Sequence, residues 1–395
     1  MKPHIRIYAL TLGITISSIL SSGIAQQDTT HLVLDNTIVL QNIAGRLGHM
    51  AYNSKQNVIY LAALSNNTLE IVDLQNNKTI RSIKSLRQPI DVEYVPGVDI
   101  ILVACLGDGL CRAFNASTFK EETSFRFDNN VSLVEYSPAQ QALYIGYGEG
   151  AIALADANTL KYKTTIKLPV HPEAVAIDEN AGKMYVNLTK NRAVGVIDLK
   201  SNTLINSFQL AEVSDNYPIA YDKTHKRLFI GCRKPAKLLV VDAEKGNKIA
   251  AIDIDGDAND IFFDEARKQI YVACGDGYLH IIRQEVKEVK QPIQESSSVA
   301  KQPTKTAAKS GTKSGTKTST TTKKTAQKNQ KQTTAQKPSQ PQYRMVLQDN
   351  YTTITRTFAG NGARTAIFLP ESGQIVVAVP AAANKDAMLL VYRVK

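Results

Sequence analysis

Apolar and polar positions follow one repeating order along most of the chain. A short apolar run such as Val58-Ile-Tyr-Leu-Ala-Ala is followed by a second, Leu69-Glu-Ile-Val-Asp-Leu74. The pair recurs at Ile100–Ala104 with Leu110–Phe114, at Ala142–Gly146 with Ile152–Asp156, and at Lys183–Asn187 with Val194–Leu199. It returns at Arg227–Gly231 with Leu238–Asp242, at Gln269–Ala273 with Tyr278–Ile282, and at Gln374–Ala378 with Leu389–Val394. Counted at Tyr60, Ile101, Tyr144, Tyr185, Phe229 and Tyr271, the spacings are 41, 43, 41, 44 and 42. A seventh copy, at Val376, is displaced by an insertion.

Each unit reads as four short strands. In the second they are Ile90–Tyr94, Ile100–Cys105, Leu110–Phe114 and Thr123–Phe127, broken by Pro-Gly, Gly-Asp-Gly and Asn-Ala-Ser turns. Four strands in roughly 40–45 residues predict a propeller blade, and blades must stack around an axis because one alone cannot bury both faces. The expected fold is therefore all-β, a seven-bladed β-propeller. Residues His31–Ile43 precede any first strand of their own, so they are expected to supply the outer strand of the last blade and close the ring.

The ends and the insertion set the other boundaries. Lys2, His4 and Arg6 precede a 14-residue apolar stretch, residues 7–20, and Gly23-Ile24-Ala25 places small residues at the −3 and −1 positions of a cleavage site. Residues 1–25 are read as a signal peptide too short to span a membrane, predicting an exported bacterial protein, periplasmic or secreted, with no transmembrane segment in the mature chain. Residues 26–286 are assigned to blades 1–6 plus the closing strand of blade 7, and residues 343–395 to the end of blade 6 and blade 7. Residues 287–342 form an insert that is expected to be disordered, because its Lys/Thr/Ser/Gln-rich core carries almost no large apolar side chain. In a propeller this loop opens on the face opposite the loops that precede each inner strand.

Charge matters by location. Lys and Arg number 47 against 36 Asp and Glu, a formal net charge of +11. Residues 301–340 carry ten Lys and no acid, Lys2 and Arg6 add two more positive charges, and the remainder sums to −1. A folded domain with a large basic excess of the nucleic-acid-binding kind is thus excluded. The Lys-rich insert is either a spacer or a weak contact for polyanions and the cell envelope. Trp is absent, which excludes a tryptophan-docked propeller of the quinoprotein dehydrogenase type.

Units of the form IYLAALSNNTLEIVDLQNNKTIRSI resemble the YVTN-repeat β-propeller family in its exported, YncE-like bacterial branch. So do Gly45–His49 (GRLGH), Gly231–Lys237 (GCRKPAK), Asp257–Ile261 (DANDI), Gly362–Pro370 and Val376–Pro380. The resemblance covers residues 32–286 and 343–395, departing in the Lys-rich insert and in blade 2, which lacks the usual aromatic. It implies a seven-bladed fold and mostly no assigned chemistry.

Loops leading into inner strands converge on the axis at one face of a propeller. Here they offer Arg46 and His49, Arg87 and Gln88, Asp128 and Asn130, His171 and Glu173, Asn216 and Tyr217, Asp257, Asn259 and Asp260, and Arg364. Such a ring either holds a polar or anionic ligand, with Arg as bidentate donor, or is a solvated funnel whose charges satisfy one another. His49 and His171 with Asp257, Asp260 or Glu173 come from separate blades without a close ligand motif, so no metal is expected. Asp253, Asp255, Asp257 and Asn259 alternate like a calcium loop, but the glycine and terminal Glu are misplaced, so an acidic turn is expected. No cofactor is expected, and neither a Walker sequence nor a GxSxG elbow occurs.

Cys105, Cys232 and Cys274 share one repeat position, just after the second strand, as small buried residues would. Cys105 and Cys111 flank a hairpin turn, which leaves a disulfide across it as the alternative. Three functions remain open: a monomeric binding protein using the funnel for a ligand or protein partner, a lactonase-like hydrolase with His49 or His171 as base, and an envelope scaffold held by the Lys-rich loop.

Overall fold

The computed structural model of the chain describes residues 31–128, 130–292, 342–383 and 385–395. The expected signal peptide and the Lys-rich core of the insert lie outside the described residues. Contacts divide the chain into a propeller unit, which runs to Glu285 and resumes at Asp349, and a small unit, Val286–Gln348. In the small unit, residues 287–292 continue a strand to Pro292 rather than belonging to an unstructured insert, and Arg344 donates to Gln291 Oε1 at 3.1 and 3.3 Å.

Seven four-stranded antiparallel sheets are the blades. Their innermost strands are Met50–Asn53, Pro89–Val95, Leu133–Ser137, Val175–Asp178, Ser214–Asp222, Ala258–Asp264 and Thr365–Leu369. The N-terminal strand Leu32–Leu40 pairs antiparallel with Ala387–Val394 and is the outer strand of blade 7. Closure thus joins the two ends of the chain, and the innermost strand of blade 7 touches that of blade 1.

Second strands are buried on both faces, which is why they read as unbroken apolar runs: Val58–Ala63, Ile100–Cys105 and Gln269–Cys274 are buried throughout. Outer strands such as Lys78–Ile83 and Glu121–Arg126 face water and carry charge. The core is seven separate apolar clusters, one between each pair of adjoining blades. Among the described residues no helix is long and apolar enough to cross a membrane.

Two details differ from the sequence reading. The third position of the second strand, Tyr60 in blade 1, faces the next blade; in blade 2 that place belongs to Leu102, while Ile101 faces back toward blade 1. Strand register sets this, since Val95 pairs with Ile100 as Asn53 pairs with Val58. A one-residue slip exchanges the faces of a strand. The same rule removes the disulfide. Cys111 pairs with Ala104, not with Cys105, so the two sulfurs point into different interblade clusters and all four cysteines are free and buried.

Candidate functional site

Side chains from all seven blades line one cavity of about 540 Å³ on the funnel face. Of the residues expected there, Arg46, His49, Asn130, His171, Glu173, Tyr217, Asn259, Asp260 and Arg364 line it. Asp257 joins them through ion pairs to two of the cavity arginines. Arg87, Gln88 and Asp128 are exposed and do not line it. The loop at Arg87 and Gln88 spends its carbonyls on the N–H groups of Gly107 and Leu106, and its side chains turn outward. Asn216 is fully buried behind the wall, where its amide donates to Asn187 Oδ1 at 2.9 Å and Ala193 O at 3.1 Å.

The inner strands add groups that the loops do not supply. In blades 2 and 6 the register shifts one residue before Asp91 and Asp260. Such a bulge re-aims the side chain that follows it. Both carboxylates consequently reach the next blade: Asp91 Oδ2 accepts from Val134 N at 2.9 Å, and Asp260 Oδ2 from Ala366 N at 2.8 Å. Asp260 Oδ1 lies 2.7 Å from Nδ1 of His49, two blades away around the ring. Burial disfavours the imidazolium, yet the Asp260 carboxylate and then Asp91 overcome it and raise the His49 pKa to about 9. The contact with Asp260 therefore favours the imidazolium form of His49, which disfavours it as a general base.

Two residues further from the loops, Glu93 and Glu135 occupy equivalent positions of blades 2 and 3. Burial, then the carboxylates of Asp91 and Glu179, raise Glu135 to about 8. Burial and then Glu135 push Glu93 well above the usual range. Their signature was legible, since Asp91 and Glu93 alternate with apolar residues along an otherwise buried strand.

At the mouth stand Arg46, Arg233 and Arg364. Asp257 bridges two of them, Oδ1 at 3.1 Å from Arg233 Nε and Oδ2 at 2.8 Å from an Arg364 terminal nitrogen. Arg233 also stacks 3.6 Å from the centre of the Tyr217 ring and donates to Ala258 O at 3.1 Å and Asn259 Oδ1 at 3.3 Å. His171 Nδ1 donates to the Gly148 carbonyl, and its Nε2 lies 2.7 Å from Ser132 Oγ. Among the described residues no group of three or more His, Cys, Asp or Glu side chains is placed to hold a metal ion.

No family model matches the chain. Over 140 residues it is 29% identical to "Uncharacterized protein YncE" of Salmonella typhimurium strain LT2, covering 34% of this chain and 39% of that protein. The chain thus matches well under half the length of that relative. It superposes on a chain of the mitotic checkpoint complex crystal structure with TM-score 0.65 and 12% identity, over 98% of each chain. It superposes equally, at TM-score 0.65 and 13% identity, on a chain of Kuenenia stuttgartiensis hydrazine synthase, over 91% of this chain and 99% of that one. At such identities the likeness is one of fold. Together with the seven sheets and their closure, these likenesses make the chain a β-propeller protein with a distant bacterial relative.

Proposed function

We propose that this chain is an exported, monomeric binding protein of the YncE-like propeller branch, and that it takes a small polar ligand into the funnel cavity. The observation that carries the reading is the convergence of charged and hydrogen-bonding groups from all seven blades on one cavity. A concave cavity of this size, with convergent polar groups, is where small ligands bind. Export rests on the signal-like residues 1–25, and sequencing of the exported protein should begin at Gln26. The test of binding is an unbiased small-molecule screen by thermal shift on the mature protein and on Ala174→Phe, which fills the wall of the cavity. Hits abolished by Ala174→Phe support the reading; hits indifferent to it place binding elsewhere.

A hydrolase reading has its own support. Ser132 is hydrogen-bonded to His171, and the imidazole is oriented in turn by the Gly148 carbonyl. That is the nucleophile, base and orienting group order of an activated serine. Labelling of Ser132 by a fluorophosphonate, lost in His171→Ala, would favour this reading over pure binding.

A further inference from the structure

We infer that the ligand of the funnel cavity presents an oxyanion to Arg46, Arg233 and Arg364, and that the Asp257 carboxylate is the internal competitor it displaces. The inference rests on the reading of this cavity as a binding site and names the chemistry it selects.

The three guanidiniums come from remote parts of the chain. Arg46 precedes the first inner strand, Arg233 is the next-to-last residue of the second strand of blade 5, and Arg364 precedes the inner strand of blade 7. Two of the three cations are paired, both with the one bridging carboxylate of Asp257. Arg46 makes no ion pair among the described residues, and partial desolvation, then the charges of Arg364 and Arg233, lower its pKa. A fold has no need to gather like charges this way, since each lowers the stability of the others. An anion relieves all three at once, and planar guanidinium is the group that matches carboxylate and phosphate oxygens.

Asp257 already mimics such a ligand. It reaches into the cluster from the loop before blade 6 with a left-handed backbone, φ 60°. Its two oxygens serve two different arginines. Gly275 makes room for it, because a Cβ at that position would lie 2.1 Å from Asp257 Oδ2. An incoming oxyanion finds Arg46 open and competes with Asp257 for the other two. Deeper in the cavity the Asp91 carboxylate opposes a second negative group, so the rest of the ligand is neutral or short.

Calorimetric titration of the mature protein would use succinate, benzoate and inorganic phosphate, with glucose and choline as neutral and cationic probes. At least one of the oxyanions should bind, and glucose and choline should not. Arg46→Gln, which breaks no ion pair, should weaken oxyanion binding by about tenfold or more, the worth of one charge-assisted hydrogen bond. Asp257→Asn should strengthen it by about tenfold, because the competitor loses its charge. Weaker binding by a folded Asp257→Asn would show that Asp257 positions the arginines and would overturn its role as competitor. If Asp257→Asn does not fold, Arg46→Gln decides: unchanged affinity overturns the assignment. Binding of glucose or choline without any oxyanion would overturn the chemistry while leaving the cavity a binding site. No oxyanion binding at millimolar concentration would also overturn it, and the wider reading would then stand or fall with the Ala174→Phe screen.

Discussion

Stability should fall as pH rises across the neutral range, and Glu135 should be a principal cause. A carboxyl whose pKa is higher in the folded state holds its proton more tightly there. Its contribution is complete below the unfolded value and is lost as pH rises through the folded one. For Glu135 that window runs from the ordinary glutamate value of 4.5 to about 8. His49 has the same sign, with a window from 6.5 to about 9. The full Glu135 difference corresponds to roughly 5 kcal/mol, and water in the cavity screens this to about 3 kcal/mol. In a propeller of this size, 3 kcal/mol moves Tm by about 4–5 °C. Glu135→Gln keeps the shape and removes the titration. It should match wild type at pH 5 and exceed it by several degrees at pH 8.5 in scanning calorimetry. A variant that tracks wild type at both pH values, or loses stability at both, would refute the argument, because Glu135 would then be ionised without penalty.

Three further outcomes follow from contacts elsewhere. Arg227 and Asp349 are buried and joined by two bonds of 3.0 and 2.9 Å between blades 5 and 6, so Arg227→Ala should cost about 3–5 kcal/mol in denaturant unfolding, whereas the double change Arg227→Met with Asp349→Leu should recover most of it. All four cysteines are buried, and burial raises the thiols of Cys105 and Cys232 to about 12, so a thiol reagent should detect none in the folded protein and four after denaturation; two would reveal a disulfide. Ten lysines without an acid in residues 301–340 predict salt-sensitive retention on heparin that is lost when residues 293–341 are deleted, and equal retention by both proteins would shift attention to the cavity arginines.

The blades were legible because their second strands are buried on both faces, and such strands can hardly be anything but apolar. Where a marker residue recurs, register was legible too: Cys105, Cys232 and Cys274 are each the sixth residue of a second strand. Blade 2 misled by one residue because Ile101 and Leu102 are both apolar and neither is aromatic. The loops gave most of the cavity's rim but also Arg87, Gln88 and Asp128, since sequence position in a loop does not say which way a side chain turns. Asp91, Glu93 and Glu135 escaped a search confined to loops, and the bulges that re-aim Asp91 and Asp260 depend on pairing with a neighbouring strand.

The positions that must be alike for seven blades to stack can be separated from those that need not be. Opposite the third residue of each second strand, the inner strands place Ala51, Glu93, Glu135, Ala176, Ala220, Phe262 and Ile367. The partners across the sheet are Tyr60, Leu102, Tyr144, Tyr185, Phe229, Tyr271 and Val376, large and apolar in every blade, as packing requires. On the axial side a small or apolar residue suffices for five blades, so architecture does not call for glutamate in the other two. Placing two carboxyls side by side there costs desolvation and mutual repulsion, which push the pKa of both upward. At the mouth, partial desolvation and then the charges of Arg364 and Arg233 lower the pKa of Arg46. Both departures from the repeat fall in one cavity, and a cost that the fold does not require, incurred twice in one place, supports the proposal that this cavity is the binding site.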